Sequence, residues 1–97
     1  ASFVIPSHKR LVVTHVSGVT YGAGPFLTDL YIEFTAGGVQ GRHVQPWDVV
    51  LAKGTYTDRQ ATFFADPDST VTVFSTDFSG VASIPVVDIQ GYYVNVP

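Results

Sequence analysis

Thirty of the 97 residues are branched at Cβ: 16 Val, 10 Thr and 4 Ile. No other feature constrains the fold as tightly. A β-branched side chain loses rotamer freedom against the preceding turn of a helix but packs well on a pleated strand. Against these residues stand 4 Leu, 7 Ala, a single Glu and no Met. Strong helix formers are therefore scarce, and a helical bundle is excluded on propensity. Turn residues cut the chain into pieces of strand length: Pro6-Ser7, the Gly18 to Pro25 region, Gly37-Gly38, Gly41, Pro46, Gly54, Asp66-Pro67-Asp68 and Gly80. The spacing predicts eight strands, over 2–5, 9–17, 27–35, 39–45, 47–53, 59–65, 69–76 and 85–96. Short strands in one small domain, 1–97, suit two packed layers. The expected fold is a single antiparallel β-sandwich, jelly-roll-like, with a small closed β-barrel as the alternative.

Several strands show which side faces the core. Leu30, Ile32 and Phe34 alternate with Asp29, Tyr31, Glu33 and Thr35, so the first set points inward and the second outward. Val71 and Val73 oppose Thr70, Thr72 and Thr76 in the same way, with Phe74 on the threonine side. Val87 and Ile89 alternate with Asp88 and Gln90, and after Gly91 the apolar parity moves to Tyr92, Val94 and Val96. A one-residue slip at a glycine indicates a β-bulge. The 9–17 and 47–53 runs are apolar on both faces, which calls for cover from a loop or from another subunit. Trp47, in the second of these, is expected in the core.

Charge and composition narrow the function. Five basic residues stand against eight acidic ones, for a net charge of −3, so the basic stripe that nucleic acid requires is missing. An apolar content of 45% excludes intrinsic disorder. The chain has no cysteine, which removes disulfides, thiolate zinc sites and cysteine nucleophiles. No apolar run approaches the length of a transmembrane segment.

The chemistry-bearing motifs are few. Asp66-Pro67-Asp68-Ser69 fits a type I turn. The sharper reading is a calcium site built from Asp66, Asp68 and Asp77, although the full EF-hand pattern is missing. Apart from calcium, no cofactor is expected. His8, His15 and His43 supply three zinc-ligand types at spacings that match no ligand motif. His15 is expected to pack beside Leu11 and Val13. Ser17-Gly18 and Ser79-Gly80 lack the nucleophile elbow, and the Gly37 to Gly41 stretch is not a phosphate loop. Tyr combines an apolar body with a polar tip and suits wet binding faces. Tyr31, alternating outward with Asp29, and the loop residues Tyr21 and Tyr56 are the candidate ligand contacts.

Three stretches carry a resemblance: the opening Val4-Ile5-Pro6-Ser7-His8-Lys9-Arg10-Leu11-Val12-Val13-Thr14-His15-Val16-Ser17-Gly18, Ala65-Asp66-Pro67 followed by Thr70-Val71-Thr72-Val73, and the ending Ile89-Gln90-Gly91-Tyr92-Tyr93-Val94-Asn95-Val96-Pro97. Together they resemble small uncharacterised exported bacterial β-sandwich proteins, with a Val-Pro-x-Gly-Lys-Arg-Leu-Val-Ile-Glu-like opening and a Gly-Tyr-x-Val-x-Val-Pro-like end. Thr14 departs from the Glu of that pattern. The resemblance implies export and a β-sandwich, and it supplies no catalytic residues.

The expected function is a non-enzymatic binding or interaction module, self-associating, exported or surface-associated, with carbohydrate as the ligand class that outward aromatics suit. One alternative is a structural assembly subunit of capsid, decoration or fibre-tip type. Another is a small hydrolase or cupin-like metalloprotein.

Overall fold

The computed structural model describes residues 1–20, 27–51, 54–77, 82–83 and 86–97. Among them are nine strands and no helix: β1 (Ser2–Val4), β2 (Lys9–Thr20), β3 (Leu27–Ala36), β4 (Val39–Gln45), β5 (Val49–Leu51), β6 (Gly54–Ala65), β7 (Thr70–Asp77), β8 (Ala82–Ser83) and β9 (Val86–Asn95). The expected 47–53 strand shortens to β5 and leaves Trp47 ahead of it, half-buried against the core. The expected 59–65 strand begins five residues earlier, at Gly54. The two-residue β8 falls between the expected strands 69–76 and 85–96.

Every strand pairing is antiparallel. One sheet runs β1-β7-β3-β4, with β8 also against β7, and the other runs β5-β6-β2-β9. Neither sheet closes on itself, so the two form a sandwich rather than a barrel. The chain crosses between sheets at β1–β2, β2–β3, β4–β5, β6–β7 and β8–β9, the repeated crossing of a jelly-roll-like winding. The core is made of Ile5, Leu11, Val13, Val16, Leu30, Ile32, Ala61, Ala65, Val71 and Val73. Phe34, Phe63, Val87 and Ile89 pack around it, half-buried. The inward sets read from β3 and β7 are the observed ones.

Strand β2 departs from its expected faces. Val13 pairs with Gly91 and His15 with Gln90, which leaves Thr14 as an extra residue against β9. On the other side Val13 pairs with Phe63 and His15 with Gln60, so Ala61 and Thr62 stand against Thr14. The double irregularity swaps the faces of β2. Leu11 and Val13 point inward before it, and Val16 points inward after it, all three buried. This is why the strand reads as apolar on both sides. It also moves His15 off the Leu11 face to the outside, where Nε2 donates to Asp58 Oδ1. The slip read at Gly91 sits at that position in the ladder, but the extra residue belongs to β2.

Turn chemistry fixes one end of the sandwich. Gly37 and Gly38 have φ of 59° and 77°, and Ala36 pairs directly with Val39. A two-residue loop with both φ positive is a type I′ turn, whose twist matches the strands it joins. The Asp66–Ser69 turn carries a hydrogen bond from Ser69 N to Asp66 O. Its third residue, Asp68, has φ 62°, which is the type II pattern rather than the expected type I.

Candidate functional site

The sandwich is open along the side where β1 and β9 form the sheet edges. The opening is a groove of about 510 Å³. Leu11, Val73, Val87 and Ile89 line its depth, with Phe3 from β1 and Tyr93 from β9 at its mouth. Phe3 pairs with the buried Val71, and Tyr93 with the buried Leu11, so both point to the inner side of their sheets. They nevertheless remain 37% and 50% exposed, because β1 is only three residues long and ends before it can roof β9. A largely apolar concavity is where a partner gains most from desolvation.

The rim of this groove is an open strand edge. β9 pairs with β2 on one side and with nothing described on the other, over ten residues. Val86, Tyr92, Tyr93 and Val94 are all exposed along it. Natural edge strands are blunted by Lys, Pro, brevity or bulges. β9 has neither Lys, Arg nor Pro, and Asp88 is its one charge. On the outer face Tyr92 continues a row through Val12 to Phe64, each in direct register, with the Arg10 guanidinium over the Phe64 ring.

The candidate ligand residues do not converge. Tyr31 and Asp29 lie on β3, and Tyr56 lies on β6 in the other sheet, with its side chain on the opposite outer face. Tyr21 lies outside the described residues. Phe74 stacks on Tyr31 with ring centroids 5.3 Å apart, and the Arg42 guanidinium sits 5.2 Å over the same ring. Arg42 is held there by Glu33, 2.8 Å away. The aromatic surface of Tyr31 is thus shared with its own neighbours.

The calcium candidates are also separated. Asp66 and Asp68 precede β7, and Asp77 ends it, the full length of the strand away. Both Asp66 oxygens already accept backbone hydrogen bonds, from Gly38 N at 2.8 Å and Gly37 N at 2.9 Å. These two amides, with Arg10 nearby, hold the Asp66 carboxyl below the usual carboxylate range. Asp68 Oδ1 accepts from Ser7 Oγ. The motif is a clasp between the β3–β4, β6–β7 and β1–β2 turns. His8, His15 and His43 lie respectively in the β1–β2 turn, on the outside of β2, and against the Phe63 ring. Among the described residues no three His, Cys, Asp or Glu side chains gather as a metal site.

A polar chain crosses the side opposite the groove. His43 Nε2 donates to Gln45 Oε1, and the buried Gln45 donates to Val16 O at 3.0 Å and to Thr57 Oγ1 at 2.9 Å. Asp48 lies beside Thr57 and takes Arg59 Nε at 2.8 Å and Asp58 N at 3.1 Å. Arg59 above all, then the Asp58 amide, holds the Asp48 carboxyl at about 2, against an ordinary 3.8. These groups satisfy one another, and the chain braces β4 against β6.

Comparisons with protein families, with curated proteins and with solved structures find no match. No helix among the described residues is long and apolar enough to cross a membrane.

Proposed function

We propose that the chain is a non-enzymatic interaction module whose working surface is the β1/β9 side of the sandwich. A partner would add an extended segment to the β9 edge and place alternate apolar side chains in the groove. The observation that carries this reading is the union of a ten-residue edge, unpaired among the described residues, with an apolar cavity directly beneath it. In strand addition, backbone hydrogen bonds supply affinity and pockets for every second side chain supply specificity. The titratable groups fit the same reading, since Asp48, Asp66, Asp58 and Glu33 are each held by a neighbouring group that serves the fold.

Selection from a random peptide display library, with counter-selection on a Tyr93→Lys variant, tests it. Enrichment of sequences with apolar residues at alternate positions supports the reading. A selection that enriches nothing, from a protein that is also strictly monomeric, overturns it.

A further inference from the structure

We infer that the segment received by the β9 edge is β9 of a second copy, paired antiparallel about a twofold axis at Gln90. The inference rests on the strand-addition reading above and names its occupant.

The argument begins with symmetry. A twofold axis perpendicular to the sheet keeps inner faces inner and outer faces outer. Residue i of one copy then faces residue j of the other with i and j of the same parity, and one residue faces itself. To pair most of Val86–Asn95, the axis must fall at Gln90 or Gly91. At Gln90 the side chains complement one another. Ile89 faces Gly91 of the second copy, so the bulky side chain lies beside the empty position. Val87 faces Tyr93 of the second copy, both on the groove side. Val86 faces Val94 of the second copy, both now exposed.

Charge selects in the same direction. Asp88 is the one charged residue of β9. The Gln90 axis sets each Asp88 against Tyr92 of the other copy, a phenol that donates to a carboxylate. An axis at Gly91 would instead set each Asp88 against Val94 of the other copy, an apolar side chain with no donor for the carboxylate. No lysine, arginine or proline stands on β9 to prevent self-pairing. The product is an eight-stranded sheet across the dimer, β5-β6-β2-β9 continued into its symmetry mate, with Phe3, Tyr93 and the groove covered on both copies.

The chain has no cysteine, so single-cysteine variants report contacts without background. Self-opposed residues in an antiparallel pair lie about 4.5–5.5 Å apart at Cα, within disulfide reach. Gln90→Cys is expected to oxidise to a covalent dimer. Asp88→Cys and, on the far edge of the other sheet, Gln40→Cys are expected to remain monomeric thiols. Light scattering on the unmodified chain is expected to give twice 10.5 kDa, falling toward one copy on dilution and at Ile89→Lys. Preferred cross-linking at Asp88→Cys or Gln40→Cys overturns the register. A wild-type mass fixed at one copy overturns the second-copy occupant. In that case peptide enrichment in the display selection decides separately whether the edge is a docking site at all.

Discussion

Gly91 lies so close to Val12 that a Cβ on it would stand 2.0 Å from the Val12 carbonyl oxygen. No real Cβ is found there, and the obstructing atom is backbone, so neither partner can swing aside. This approach accompanies the extra residue Thr14 in β2, which brings the backbones of β2 and β9 together where the ladder slips.

Gly91→Ala is therefore expected to destabilise the fold by on the order of 2 kcal/mol or more, far above a routine surface change. Urea unfolding followed by circular dichroism measures it. A loss of only a few tenths of a kcal/mol would mean that β9 does not approach β2 in this way.

Gln45 is 1% exposed and joins β4 to Val16 and Thr57. Replacing it with Leu keeps the bulk but leaves the buried Val16 carbonyl without this donor. Such a loss costs about 1–3 kcal/mol. Thermal melts of Gln45→Leu should show a clear drop, and an unchanged midpoint would show that water takes over the site.

His8 holds φ at 61° without the freedom of glycine. A left-handed conformation costs an ordinary residue about 1–2 kcal/mol, and glycine gives back part of that through its larger unfolded-state entropy. His8→Gly should raise stability by about 0.5–1 kcal/mol on the same two principles. A decrease in the melting midpoint would place a stabilising contact on the His8 side chain.

Acid should expose the Asp48–Arg59 pair. Asp48 titrates at about 2 in the folded chain and near 3.8 when free of its partners. Its contribution is fully present above the higher value and is lost as pH falls toward the lower one. Stability should decline across that window, and Asp48→Asn should flatten the decline. Because the pair is exposed, added salt should weaken the effect as well. An identical acid profile in Asp48→Asn would assign the loss to other carboxylates.

The strands of this fold were legible wherever one local pattern decided the outcome. Leu30, Ile32 and Phe34 alternate without interruption, and Gly37-Gly38 announces its turn. What a local reading misses is set by residues distant in sequence. The two apolar faces of β2 follow from Thr14 slipping against β6 and β9, which turns Leu11 and Val13 before it and Val16 after it to the same side. Asp66 looks like a turn residue or a metal ligand until the amides of Gly37 and Gly38, 29 and 28 positions away, are seen to occupy it. Gly41 reads as a break, yet it sits mid-strand opposite Phe34, whose ring lies 3.1 Å from where its Cβ would be. Tyr92 and Tyr93 are adjacent aromatics near the end of the sequence. Sheet order exposes both: Tyr92 stands on the outer face of an edge strand, and Tyr93 stands on the inner side where β1 is too short to cover it.

The position of β2 has a consequence for how the protein is made. It lies between β6 and β9, so it pairs on one flank with a strand synthesised long after it. Until β9 emerges, Leu11, Val13 and Val16 belong to a half-built sheet, and the nascent chain must be kept from other polypeptides meanwhile. Contacts of such long span also slow folding toward milliseconds to seconds. Strand β9 thus completes the sheet and then becomes its outermost member.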